Sequence, residues 1–432
     1  MTSSLIYLGL LLLIIGISYC TAHLLPPQNT TSIPRKTALA VAISMLVAIL
    51  GVFKYYDFFA VSFATTLEAV GIPVGVTTLN IILPVGVSFY VFQSIGYLVD
   101  VYRGDTKPES NFVDFALFVS FFPQLVAGPI ERSKNLLRQI KIERPDVTGK
   151  DISYGLYLIA QGFVKKVVIA DNLGPLADAL FNEHNLSGPL IWVGLIIFAI
   201  QIYCDFSGYT DIARGYSRLL GFRILLNFDR PYIATSPSDF WRRWHISLSN
   251  WFTEYVYFPL GGNRSKSETR RSINVLATMS LSGLWHGASW NFLFWGIYHG
   301  AIILLSRTVK SFVPNNFAHS AAGKAVGIIV TFILTVYGWL YFRVTDFSQI
   351  LAFNHALLFN WHGGAVAVAF LAQGALYLLI WVMLDVLELY WLDVRGQQVR
   401  ERRGFVIYVT LMILIVLLFQ AHDPSAFIYF RF

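Results

Sequence analysis

The sequence predicts an all-α protein, a polytopic bundle of about 8 to 11 transmembrane helices with additional re-entrant segments. Three observations carry that reading. Of 432 residues, 56% are apolar and only 13% charged, more apolar side chain than a soluble domain of this size needs. Apolar runs long enough to cross a hydrocarbon core, about 18 to 20 residues, recur from end to end. The Lys and Arg residues sit in short clusters between those runs, as expected of topology determinants. The runs leave no room for a separate soluble domain, so residues 1–432 read as one integral membrane domain.

The first run, residues 5–19, has no Lys or Arg before it and no small-residue cleavage pattern after it, which predicts a retained helix. Further spans are expected at 37–53, 77–99, 152–168, 190–205, 326–342, 366–387 and 405–419. Basic clusters within 132–150, 214–271 and 395–403 belong in the cytoplasm by the positive-inside rule. Residues 174–189 and 345–364 contain no Lys or Arg and read as outside loops. This alternation puts both chain ends outside, with residues 422–432 emerging after the last span.

Two stretches start and end on the same side. Residues 112–130 are apolar but interrupted by Pro123, Gly128 and Pro129, which predicts a re-entrant segment. Residues 273–305 run apolar to Leu284, break at Trp285-His286-Gly287, and resume at Ala288. Irregular backbone at membrane depth is tolerated only inside protein or beside a wet cavity, so His286 should face one.

The two cysteines, Cys20 and Cys204, lie in or beside apolar runs and support neither a disulfide framework nor a metal site. The net charge of +7 is dispersed among the clusters, which argues against nucleic acid as a partner. No G-x-S-x-G elbow, G-x-x-x-x-G-K-[ST] loop or H-E-x-x-H pattern occurs, so hydrolase, nucleotide-driven pump and zinc enzyme lose support.

Of nine histidines, His23, His184, His319, His355, His362 and His422 fall in expected loops or chain ends. His286 is different, because an ionisable side chain between apolar helix halves is costly and usually functional, the alternative being a satisfied structural histidine. An imidazole there is neutral near pH 7 and can take a proton. His245 sits in Asp239-Phe240-Trp241-Arg242-Arg243-Trp244-His245, an alternation of charge and aromatics that reads either as a second catalytic position or as an interfacial helix anchored by Trp and Arg. His299 reads as structural, near a helix end where water is available. Asp205, Asp211 and Arg214 suggest internal ion pairing; Lys165 and Lys166 could pair with the same acids or snorkel to an interface, and snorkelling is the favoured expectation. Arg242, Arg243 and Arg264 are a candidate site for the phosphates of a donor, although the positive-inside rule accounts for them without a ligand.

Residues 123–132 (PQLVAGPIER), 203–214, 239–264 (DFWRRWHISLSNWFTEYVYFPLGGNR), 282–287 and 427–432 (FIYFRF) resemble, in this order, motifs of the membrane-bound O-acyltransferases. The similar branch contains bacterial alginate and peptidoglycan O-acetylases and the teichoic acid D-alanyl exporter. The resemblance implies helices ringed around a central tunnel, a catalytic histidine at His286 and a second family histidine at His245. It implies an acetyl group passed from cytoplasmic acetyl-CoA, with no bound cofactor, towards an extracytoplasmic cell-envelope polysaccharide. A multi-pass protein of the bacterial inner membrane, with an extracytoplasmic acetyltransferase as partner, follows from it. The family's usual ending carries Gln where Arg431 stands. Tyr429 in that ending is a candidate acyl relay, or alternatively an aromatic interface anchor. The competing readings are D-alanyl transfer from a carrier-protein thioester, a transporter, and a non-enzymatic scaffold.

Overall fold

The computed structural model of the protein describes residues 2–25, 33–81, 83–142, 146–182, 187–344, 346–393, 398–399, 404–421 and 426–428, and the chain is helical almost throughout. Among the described residues, 7 helical stretches are long and apolar enough to cross a membrane: Leu5–His23, Arg35–Ala69, Gly149–Phe181, Gly188–Leu219, Trp290–Phe312, Ala321–Arg343 and Gly364–Glu388. The protein is a multi-pass membrane protein. Its contacts divide into two compact units, Met1–Pro145 and Asp146–Phe432.

The first unit holds α1 (Thr2–His23), α2 (Ile33–Leu50), α3 (Tyr56–Ala69), α4 (Val87–Arg103), α5 (Phe112–Ser120), α6 (Phe122–Leu125) and α7 (Arg138–Lys141). A π-helical turn, Gly51–Tyr55, joins α2 to α3, so the span expected at 37–53 runs on as one 35-residue helix. The span expected at 77–99 starts ten residues late, at Val87. Pro84 offers no backbone N–H and disfavours helix at the residue before it. The stretch preceding it is instead tied to α3, where the Asp57 carboxylate accepts from the backbone N–H of Leu79 (2.7 Å) and Asn80 (3.0 Å). Residues 112–130 are broken into α5 and α6, with Pro123 in the first turn of α6. Gln93 of α4 stabilises the break by donating to the Phe118 carbonyl (2.7 Å) and accepting from Gln124 (3.1 Å).

The second unit is built on α8 (Gly149–Phe163), α9 (Asp171–Phe181) and α10 (Gly188–Leu219). A π-helical segment, Val164–Ala170, joins α8 to α9. The membrane-length window of α10 is 83% buried, which makes it the core of this unit. Two glycine pairs seven residues apart bring α8 onto α10. A Cβ at Gly208 would lie 2.8 Å from the Gly162 carbonyl oxygen, and one at Gly215 would lie 2.6 Å from that of Gly155. In lipid, where apolar burial does not drive helices together, such backbone contact supplies the packing.

Sequence reasoning ends the 190–205 span at Asp205, yet α10 continues to Leu219 because its charges are matched internally. Lys165 pairs with Asp211 at 2.7 Å, and Lys166 bridges Asp171 (2.8 Å) and Asp205 (2.6 Å). The expected snorkelling of the two lysines is therefore wrong; the Lys165 side chain is 3% exposed. Desolvating an ammonium is tolerable only beside such partners, and removing one partner of a buried pair costs about 3–5 kcal/mol.

The remainder comprises α11 (Pro237–Trp241), α12 (Ile246–Phe252), α13 (Glu268–His286), α14 (Trp290–Phe312), α15 (Asn315–His319), α16 (Ala321–Arg343), α17 (Phe347–Phe359), α18 (Gly364–Trp391) and α19 (Phe405–Phe419). A two-residue antiparallel ladder pairs Leu392 with Val399 and Asp393 with Gln398. The expected loop at 345–364 contains α17, whose Ile350, Phe353, Ala356 and Leu357 are buried.

Candidate active site

The site grows from the hairpin of α13 and α14, the stretch that sequence reasoning expects to dip in and return. Gly283 and Gly296 make the hairpin possible. A Cβ at Gly283 would meet the Phe292 carbonyl oxygen at 2.1 Å, and one at Gly296 would meet that of Met279 at 2.3 Å. The helix stops at His286 because Gly287 is extended (φ −161°). His286 thus ends α13 inside the unit, 3% exposed, walled by Trp295 (ring centroids 5.0 Å apart) and Phe342 (5.4 Å).

His245 is also inside. It is fully buried, which corrects the interfacial environment expected for it. The reason is a backbone reversal: His245 has φ 42° and ψ 54°, a left-handed conformation that a non-glycine residue adopts at some cost. Hydrogen bonds from Ile246 N to Asn227 O (2.9 Å) and from Asp229 N to Arg243 O (2.9 Å) hold this reversal. It turns the imidazole inward while the Arg242 side chain remains 71% exposed.

Asn227 fixes which nitrogen of His245 carries the proton. Its Oδ1 accepts from the backbone N–H of Ser247 (3.2 Å), and a backbone N–H can only donate, so this atom is the amide oxygen. The same oxygen accepts from Ser247 Oγ (2.9 Å) and lies 3.1 Å from His245 Nδ1. Nδ1 must therefore donate, which leaves the lone pair of the neutral ring on Nε2. Burial pushes the imidazole pKa down to about 3, so the ring is a neutral base at pH 7.

The His245 and His286 rings lie edge to face, 6.4 Å apart, with Trp285 5.8 Å from His245. His299 sits in the same aromatic cluster, 4.7 Å from Trp295 and 5.1 Å from Trp241. It lies mid-helix in α14 and is 1% exposed, not near a wet helix end as its sequence context suggests. Neither of its ring nitrogens has a hydrogen-bond partner among the described residues.

A cavity of about 210 Å³ lies between α11, α12, α13 and α14; Trp241 joins its wall to this cluster, whereas His245, His286 and His299 do not line it, so His286 does not face it as its sequence context predicts. Trp241, Ser249, Asn250 and Ser282 line it, together with Arg242 and Arg307. Ser282 stands one helical turn before His286 on α13. Of the three arginines singled out as donor-binding, only Arg242 lines this cavity. Arg243 pairs with Asp239 (3.1 Å) and donates to the Asp229 carbonyl (3.3 Å), and Arg264 ends a 3-10 turn, Gly262–Arg264. Asn227, Trp295 and Arg307 were missed, since only tertiary contact brings them to the histidines or the cavity.

Tyr429 and Arg431 lie outside the described residues. The residues just before them pack against α10. Phe427 and Ile428 are buried, and Ile428 N donates to Asp205 Oδ2 at 2.7 Å. Phe427 stacks on Tyr209 (5.2 Å) and meets Phe206 (5.9 Å), whose ring in turn lies 4.8 Å from His245.

A sequence profile of the membrane-bound O-acyltransferase family matches residues 107–347, which include the three histidines buried among the described residues. A probable alginate O-acetylase of Azotobacter vinelandii is 42% identical over 322 residues, 74% of this chain and 62% of that protein. A peptidoglycan O-acetyltransferase of Helicobacter pylori is 36% identical over 71% of this chain and 61% of its own length. A teichoic acid D-alanyltransferase of Streptococcus thermophilus is 27% identical over 60% of this chain and 67% of its own length. The chain spans about three fifths of the length of the alginate O-acetylases it matches.

Proposed function

Because the chain belongs to the membrane-bound O-acyltransferase family, we propose that it is an O-acyltransferase moving acetyl groups from cytoplasmic acetyl-CoA to a cell-envelope polysaccharide outside the membrane. The observation that carries this reading is the pair of buried imidazoles, His286 and His245, 6.4 Å apart, with an arginine-bearing cavity reached at Ser282, one helical turn before His286 on α13. Acyl transfer to a hydroxyl needs a neutral base, a held carbonyl and exclusion of water, and a buried aromatic chamber suits all three.

In the proposed reaction His286 takes the proton of the acceptor hydroxyl as its oxygen attacks the thioester carbonyl. The tetrahedral adduct collapses with cleavage of the C–S bond, and the thiolate leaves with the proton returned by the imidazolium. His245, its Nδ1 proton engaged by Asn227, offers Nε2 to hold the hydroxyl in line. Arg242 and Arg307 meet the phosphates of the donor. Tyr429 receives the acetyl group as a phenolic ester and passes it on, a reading supported by the burial of Phe427 and Ile428 one ring away from His245. A separate extracytoplasmic acetyltransferase completes transfer to the polysaccharide, and the protein resides in the bacterial inner membrane.

Acetyl is favoured over D-alanyl by the greater identity to O-acetylases, 42% and 36%, than to the D-alanyltransferase, 27%. The test is donor turnover by the purified chain in liposomes. Consumption of acetyl-CoA with release of free thiol is the expected result. Consumption of an aminoacyl carrier-protein thioester, with acetyl-CoA untouched, would replace the donor.

A further inference from the structure

A second cavity, of about 400 Å³, lies on another face of the same unit, between α16, α18 and the turn at Arg230–Ile233. Its mouth is rimmed by Ile233, Ile329, Val382 and Val386, which are 46 to 58% exposed and so face the hydrocarbon. Tyr232, Phe332 and Trp381 form apolar walls. Two polar groups interrupt them, four residues apart on α18. Trp381 Nε1 and Asp385 Oδ1 are both buried and have no hydrogen-bond partner among the described residues. A donor and a carboxylate oxygen left idle on one helix face, inside an otherwise greasy cavity, require an occupant.

The charges say which kind. Arg230, the cation on the cavity wall, is already matched by Asp229 at 2.9 Å. Lys165 pairs with Asp211, and Glu388 accepts from Gln161 at 3.1 Å. Among the described residues Asp385 forms no ion pair of its own, and Lys165 and Arg230, which attract it, are paired to Asp211 and Asp229. An anionic headgroup would add to the negative charge, whereas a group carrying a primary ammonium would balance it.

Depth agrees with a headgroup. Ile328 is seven residues from the start of α16 and Val386 five from the end of α18, so the cavity lies about 8 to 10 Å below those ends at 1.5 Å per residue. Amphipathic groups settle at such depths, about 5 to 10 Å into the boundary of headgroups and chains.

We propose that this cavity holds a glycerophospholipid with a primary-amine headgroup, one chain between α16 and α18, its ammonium on Asp385 and a phosphate or ester oxygen on Trp381 Nε1. The site is separate from the histidine pair and does not depend on acyl transfer. The test is lipid retention by the full chain, purified in detergent and equilibrated with equal amounts of phosphatidylethanolamine, phosphatidylcholine and phosphatidylglycerol, read by native mass spectrometry. Wild type should retain phosphatidylethanolamine at least fivefold over either of the others. Asp385→Asn should erase that preference, and Ile329→Trp, which fills the mouth, should lower retention of all three at least threefold. Val382→Trp serves the same purpose if the first filling variant does not fold. Equal retention of the three lipids by wild type, or an unchanged preference in Asp385→Asn, overturns the proposal.

Discussion

Replacing Asn227 with Ala tests how the second histidine is held. Asn227 Oδ1 accepts from three groups, His245 Nδ1, Ser247 N and Ser247 Oγ, at 3.1, 3.2 and 2.9 Å, and the side chain is fully buried. Each buried donor left idle costs about 1–3 kcal/mol, but the hydroxyl can rotate to another acceptor, so a net loss of about 3 kcal/mol is expected. The kinetic effect is separate. With no acceptor at Nδ1, the proton distributes over both ring nitrogens and the lone pair no longer resides on Nε2. A positioned acid–base group contributes about 10²–10⁴-fold, so kcat should fall by about 10² while KM for the donor holds. Asn227→Asp restores an acceptor in the same place and should recover most of the kinetic loss but not the stability, because it buries a carboxylate with no cation beside it among the described residues. The assay is thiol release from acetyl-CoA in proteoliposomes, beside a thermal melt of each variant. A folded Asn227→Ala protein with kcat within about threefold of wild type refutes the role given to the tautomer.

Three further outcomes follow from the same geometry. Lys165→Met leaves Asp211 buried without its main partner and should cost about 3–5 kcal/mol in thermal or denaturant unfolding, whereas adding Asp211→Leu should restore part of it; no loss in the single variant contradicts the network. Arg307→Ala should raise KM for acetyl-CoA about 10- to 100-fold, the worth of one charge-assisted contact, with kcat nearly unchanged. The imidazole of His245 is pushed down to about 3 from an ordinary 6.5. Below pH 6.5 the unfolded chain takes up a proton that the folded one refuses, so stability present above that pH should fall by about 1.4 kcal/mol per unit between 6.5 and 3. His245→Gln should flatten that part of the pH–stability curve.

Hydropathy locates the spans because each long apolar run has one viable fate in lipid. It fails where charge is compensated in three dimensions. The run ending at Asp205 looks finished only because Lys165 and Lys166, forty residues earlier, are invisible to a local window. The same blindness hid α17, where the lack of Lys and Arg in 345–364 reads equally well as a loop or as a helix packed on its neighbours. His286 was legible because an imidazole at a glycine break between apolar helices is costly to bury and so marks a site of use. His245 was misread: alternating charge and aromatics mimic an interfacial helix, and only the left-handed turn at His245 itself separates the outward Arg242 from the inward ring. Asn227 carries no signal in sequence, since its value lies in a contact 18 residues away.

The most direct measurement is acetyl-CoA turnover by His286→Ala in liposomes, with the fold followed in parallel by its melting transition. A folded protein whose thiol release drops to background is the predicted result. Turnover at the wild-type rate from that folded variant would contradict the assignment of His286 as the base.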